Sequence, residues 1–158
     1  MKKNLLVCVM AAAAMFTLSG CGQKNDEKKD DGTTTQKQEQ KLACSLSMDG
    51  DTMKYSFTFE DNKISKVTLT NTEKKKDEKT AKKEYETASK NIGEYNKKKG
   101  ITSSVSYSGT LVTESITFTI ASLDDESKPV YDELFNEISD KSMDDIKNEL
   151  VNAGYTCK

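Results

Sequence analysis

Between Gly22 and Lys41 the chain has no apolar side chain, and from Leu42 to its end apolar positions recur with regular spacing. The first spacing is two. Leu42 to Met48 reads as a strand, and Asp49-Gly50 is a strong hairpin turn signal. Met53, Tyr55, Phe57 and Phe59 then alternate with Lys54, Ser56, Thr58 and Glu60, the pattern of a half-buried strand. Asp61-Asn62 turns the chain again, and Ile64 to Thr70 predicts a third strand.

The spacing then changes. Ala81, Tyr85, Ala88, Ile92 and Tyr95 fall on one stripe of a 3.6-residue helix. Lys97, Lys98 and Lys99 follow, where a helix dipole favours cations, and Gly100 supplies a stop. Ile101 to Tyr107 and Leu111 to Ile120 predict a second hairpin across Ser108-Gly109, with Val112, Ile116, Phe118 and Ile120 on its buried face. Val130, Leu134, Phe135 and Ile138 predict a short helix entered at Ser127, with Pro129 tolerated in its first turn. Ser142 caps a last helix that has Asp144 and Asp145 in its first turn and Met143, Ile146, Leu150 and Val151 on its core side. Gly154 ends it, and Tyr155 to Cys157 is a final short strand. The order βββ-α-ββ-αα-β predicts an α+β domain, an antiparallel sheet with helices packed on one face. Tyr55, Tyr85, Tyr95 and Tyr107 fall on its predicted buried faces.

The start of the chain has a different character. Lys2 and Lys3 precede an apolar run from Leu5 to Phe16. A bilayer span needs about 20 apolar residues, so this run reads as a signal peptide. Leu18-Ser19-Gly20-Cys21 matches the lipobox of bacterial lipoproteins. That resemblance implies cleavage before Cys21 and a diacylglycerol thioether on its sulfur, with palmitate-type acyl chains. Each buried methylene contributes about 0.8 kcal/mol, and two chains anchor stably. The expected organisation is a signal peptide at 1–20, the lipidated Cys21 and a flexible polar tether at 21–41, and one domain at 42–158. Random-coil scaling gives the tether an end-to-end distance of roughly 25 Å.

Composition narrows the chemistry. All 24 basic residues are lysine, and the chain has no Arg, His or Trp. Without Arg, base reading and bidentate phosphate recognition lose their usual side chain, and no nucleic-acid partner is expected. Without His, Ser-His-Asp and Cys-His catalysis are impossible, and the commonest metal ligand is gone. The net charge is −2, and residues 1–20 carry two of the lysines and no acid, so the chain from Cys21 onward is more acidic still. The preference for Lys over Arg points to a low-GC genome and a Gram-positive host. The expected location is the extracytoplasmic face of the cell membrane, through the lipid anchor.

Of four cysteines, Cys8 leaves with the leader and Cys21 takes the lipid. Cys44 and Cys157 sit near the two ends of the domain in an oxidising setting, and a disulfide between them is expected. It would place the first and last strands side by side and close almost the whole domain into one loop. The chain-entropy model gives roughly 5 kcal/mol as an upper value. Two buried free thiols are the alternative. A redox role has no Cys-x-x-Cys to support it.

No catalytic signature stands out. There is no Ser-x-x-Lys, no P-loop and no Gly-x-Gly-x-x-Gly. Asp49-Gly50-Asp51 has a hairpin explanation and lacks calcium-loop spacing. Asp124-Asp125-Glu126 precedes a helix start, where carboxylates are favoured anyway. No metal and no cofactor is expected. Lys74, Lys75, Lys76, Lys79, Lys82 and Lys83 could meet an anionic headgroup or cell-wall polymer, though Glu73, Asp77, Glu78 and Glu84 dilute them into a solvated helix face.

With these features the chain resembles the YehR-like family of small bacterial lipoproteins, a family of unknown function. The lipobox at Leu18 to Cys21, the meander containing Phe57-Thr58-Phe59, the Lys/Glu/Ala helix from Ala81 to Lys98 and the closing Asn152-Ala153-Gly154-Tyr155 carry the resemblance. It implies an α+β lipoprotein domain and brings no catalytic residues. The expected function is a non-enzymatic, lipid-anchored envelope protein that binds a protein or an envelope component. The second expectation is a small-molecule or lipid site between sheet and helix. The third is an enzyme using carboxylates alone. An exposed apolar patch on the free sheet face would favour the first, an apolar cavity beside helix 81–98 the second, and convergent carboxylates in a cleft the third.

Overall fold

The computed structural model describes residues 39–158; the leader, Cys21 and most of the tether lie outside the described residues. Six strands form one antiparallel sheet: β1 Gln40–Met48, β2 Asp51–Glu60, β3 Lys63–Lys74, β4 Ile101–Ser108, β5 Leu111–Thr119 and β6 Thr156–Cys157. Their spatial order is β4-β5-β3-β2-β1-β6. Three helices, α1 Glu78–Tyr95, α2 Lys128–Phe135 and α3 Met143–Asn152, complete the predicted α+β order. β1 starts at Gln40, two residues before the first apolar position.

Both tight turns of the meander have positive φ at their central residues, Asp49 and Gly50 in one and Asp61 and Asn62 in the other. That backbone matches the right-handed twist of paired strands. Asp51 adds a lock, accepting the backbone N–H of Lys74 at 2.7 Å. β3 runs four residues beyond its predicted end. Its extension is paired with β5 as far as Lys74↔Leu111, a long-range register that local patterning does not carry.

Helix α1 lies on β4 and β5. Asp77 caps it by accepting the Thr80 backbone N–H at 2.7 Å, and its Ala81 and Ala88 are buried. Small side chains there let the helix approach the sheet closely. The three lysines do not complement its dipole as expected: the last helical residue is Tyr95, and Lys97 to Lys99 lie in the turn beyond. Gly100 closes that turn with φ +78, and a Cβ there would sit 2.8 Å from the Leu123 nitrogen. The expected strand end at Ile120 is instead a 3-10 turn, Ile120–Ser122, packed against this glycine.

The core forms between the sheet and α2. Phe118 of β5 meets Tyr131 at 5.7 Å and Phe135 at 5.6 Å between ring centroids. Phe135 also meets Tyr55 edge-on, and Tyr55 continues through Phe57 to Phe59 along β2. Phe57, Phe59, Val67 and Phe118 are fully buried residues of the sheet in this core, and Cys44 of β1 is fully buried too. The buried stripe of α2 is Tyr131 and Phe135, rather than the expected Val130, Leu134, Phe135 and Ile138; apart from Phe135 those are half-buried. On α3, Ser142 caps by accepting the Asp145 N–H, and Ile146 is buried as expected. Val151 is 48% exposed, a correction: it lies one residue, about 100° of helix rotation, past half-buried Leu150. Tyr107 is corrected too, lying at the rim with 37% exposure against Tyr85 of α1.

Cys44 and Cys157 are directly opposed in the β1–β6 register and joined by a disulfide across 113 residues. Next to them Ala43 and Lys158 exchange both backbone hydrogen bonds. The cysteines therefore form the closer, non-hydrogen-bonded kind of cross-strand pair, with Cα atoms 4.0 Å apart.

Candidate functional site

Strand alternation sorts the sheet into two unlike faces. The residues opposed in register with Phe57 are Leu42 and Val67, and Val67 opposes Phe118, which opposes Ile101. This row and its parallels face the helices. One position along every strand lies the other face. There Ser56, Thr68, Thr117 and Thr102 form a row across four strands. The next row is Lys54, Thr70, Ser115 and Ser104, and the next is Thr52, Thr72, Thr113 and Ser106.

This face is a grid of hydroxyls. Across β3 and β5 they bond each other: Thr68 with Thr117 at 2.9 Å, Thr70 with Ser115 at 3.2 Å, and Thr72 with Thr113 at 3.0 Å. A hydroxyl has one donor hydrogen and two acceptor lone pairs, so each pair retains capacity for an outside partner. The ring contacts and the residues buried on α1, α2 and α3 all lie toward the apolar face. The apolar patch that would have marked the free face is not what stands there. Leu111, at its rim, is the exposed large apolar residue on it.

Charge is sorted along with polarity. Lys41, Lys54, Lys66 and Lys74 are exposed at strand positions on the hydroxyl face, and exposed Lys158 follows β6 on the same side. Glu60 is the carboxylate at a strand position there, and Glu39, just before β1, pairs with Lys41 at 2.8 Å. Lys54, Lys66, Lys74 and Lys158 make no ion pair among the described residues. The helical segment from Asp124 to Glu149 has the opposite balance, with only Lys128, Lys141 and Lys147 among many acids.

The lysine group expected at 74–83 is divided by the fold. Lys74 belongs to the hydroxyl face, Lys75 turns to pair with Glu73, and Lys79, Lys82 and Lys83 are exposed on α1. Lys75 lies in a carboxylate group that the sequence did not single out. Glu73 accepts from Asn71 at 2.8 Å as well as from Lys75, and half-buried Glu114 lies near both Glu73 and Glu84. Burial first, then the charges of Glu73 and Glu84, raise the Glu114 carboxyl above its ordinary value. Burial opposes the charge on Lys75, but its hydrogen bond to Glu73 and the surrounding acids outweigh that and raise it. The sequence signals only the half-buried position of Glu114, which interrupts the alternation between Val112 and Ile116, and not its meeting with Glu73 and Glu84. Lys75 ties this group together as an ion network. Among the described residues no cluster of Cys, Asp and Glu is arranged to hold a metal ion.

Other singled-out carboxylates have local roles. Asp124 accepts from the Ser127 hydroxyl at 2.7 Å and from the Ser127 N–H at 3.0 Å, hydrogen bonds that hold its carboxyl below the ordinary value. Asp51 locks the first hairpin. At the sheet's outer edge Asn96 acts as a strand mimic. Its side chain accepts from the Ser103 N–H at 2.6 Å and donates to the Ser103 carbonyl at 3.0 Å, satisfying the outward groups of β4.

No protein-family model matches this sequence, and no curated protein is significantly similar to it. Solved structures do share its fold. An NMR structure of a protein from Streptococcus pneumoniae TIGR4 is similar with a TM-score of 0.60 at 15% identity, over 92% of this chain and 99% of that one. The NMR structure of the E. coli YehR protein is similar with a TM-score of 0.58 at 12% identity, over 78% of this chain and 93% of that one. The chain therefore has a YehR-like fold.

Proposed function

We propose that this protein is a lipid-anchored envelope lipoprotein of the YehR-like kind, held through Cys21, whose domain binds a partner on the open face of its sheet and catalyses no reaction. The observation that carries this reading is the free face itself. A sheet face left to water needs polar residues of any kind, yet β4 offers Thr102, Ser104, Ser106 and Ser108 in succession, and β5 offers Thr113, Ser115, Thr117 and Thr119. Short hydroxyl side chains on a pleated sheet make a broad surface of closely spaced hydrogen-bonding groups. The lipobox at Leu18 to Cys21 supports the anchor, and the Cys44–Cys157 disulfide suits an oxidising compartment.

Two measurements test the two halves. Cys21→Ala should move the protein out of the membrane fraction; retention there after a high-salt wash contradicts the anchor. Envelope components captured by the wild-type chain should be lost on Lys66→Glu with Ser104→Glu, two exposed positions on the free face. Undiminished capture by that folded variant contradicts the binding surface.

A further inference from the structure

We infer that the open face takes an extended anionic polymer, a phosphodiester-linked polyol of the cell envelope, laid over the sheet; this rests on the open face being the binding surface. Three observations select this chemistry. First, the exposed lysines of the face make it cationic in a chain whose net charge is −2, while acids dominate the segment from Asp124 to Glu149 that covers part of the other face. The face therefore attracts an anion and the acidic segment around α2 and α3 repels it, which biases the encounter.

Second, the lysines are spread out. Lys66 and Lys74 stand near the two ends of the same side of β3, roughly 27 Å apart at about 3.4 Å per residue. A single small anion reaches one of them; a chain carrying repeated charges reaches both. Lysine serves here as a point charge, and phosphate accepts it without the bidentate fork that Arg would supply.

Third, the half of the face built by β4 and β5 has hydroxyls and no charge at a strand position. A polyol phosphate offers both partners, phosphate oxygens to the lysines and hydroxyls to Ser and Thr. A phosphatidylglycerol bilayer offers phosphate and hydroxyls as well, but as separate headgroups rather than one continuous chain, and the vesicle arm of the test distinguishes the two. A stacked sugar or base would need aromatic rings, and every ring in the sheet at Tyr55, Phe57, Phe59, Tyr107 and Phe118 sits at a position of the other face.

The test uses the full chain, disulfide intact, on immobilised poly(glycerol phosphate), with inorganic polyphosphate and phosphatidylglycerol vesicles as separate arms. Salt-sensitive retention on poly(glycerol phosphate) is expected, falling as ionic strength approaches about 0.15 M. Lys54→Gln with Lys66→Gln and Lys74→Gln should weaken it by at least about tenfold, through loss of three charge-assisted contacts. Lys79→Gln with Lys82→Gln and Lys83→Gln on α1 removes the same charge and should leave it within about twofold, because surface charges away from the contact are screened. Thr70→Val with Thr117→Val should weaken poly(glycerol phosphate) binding and spare polyphosphate, which has charge without hydroxyls. No retention at low salt, equal losses from the two lysine triples, or capture of a Cys21→Ala chain by vesicles but not by polymer overturns the proposal. The membrane fractionation and the Lys66→Glu, Ser104→Glu capture are scored separately. They can succeed where the polymer fails, so the two claims fall independently.

Discussion

At the scale of single residues, the domain depends on a few side chains that close long-range gaps. Cys44 and Cys157 tie β1 to the last strand, and their bond constrains nearly the whole unfolded domain. Reduction or Cys44→Ala with Cys157→Ala should lower unfolding stability by about 2–5 kcal/mol, read by denaturant titration. Glu114 works in the other direction. Its carboxyl is raised in the fold, so the folded state favours the proton. Its contribution is fully present below the unfolded carboxylate range, near pH 4, and is lost as pH rises through the higher folded value. Glu114→Gln should therefore melt at a higher temperature than wild type at pH 7, with the gap closing toward acid. A gap independent of pH would deny the raised carboxyl. The cysteine pairing was legible from position and compartment. The Glu114 group was not, because Glu73, Glu84 and Glu114 come from two strands and a helix whose meeting no local spacing announces.

At the scale of elements, the period-two and period-3.6 patterns located every strand and helix, and their errors have specific causes. On α2 the expected stripe lies about one residue off, since Val130, Tyr131, Leu134 and Phe135 offer two overlapping apolar stripes; on α3 only Val151 departs from it. Packing against Phe118 selects Tyr131 and Phe135. Val130 and Tyr131 fit the same spacing, so the sequence alone does not separate them. Phe118→Ala should cost about 3–5 kcal/mol by emptying the space between β5 and α2. The end of α1 was legible from Gly100, but the role of Asn96 was not, since it depends on β4 lying alongside. Asn96→Ala leaves the N–H and C=O of Ser103 without that partner. It should cost about 1–3 kcal/mol and speed amide exchange at Ser103.

At the scale of the whole molecule, one alternation encodes two surfaces. The residues that make the core on one face force the intervening residues of the same strands onto the other. Thr68, Thr70 and Thr72 were thus visible beside Val67 and Leu69 from the outset, as were Thr113, Ser115 and Thr117 beside Ile116 and Phe118. Read strand by strand they are ordinary solvent-facing residues. The order β4-β5-β3-β2-β1-β6 turns them into a continuous surface, and that order is set by long-range pairing. The lysine group at positions 74–83 is divided by the same topology, and the cations on the open face come from β1, β2, β3 and the residue after β6. The most direct test of that face places a photo-activated crosslinking residue at exposed positions in living cells. At Ser104 or Lys66 it should form covalent adducts with envelope material, and at Lys90, exposed on α1, it should form none. Adducts at Lys90 with none at Ser104 or Lys66 would contradict the account.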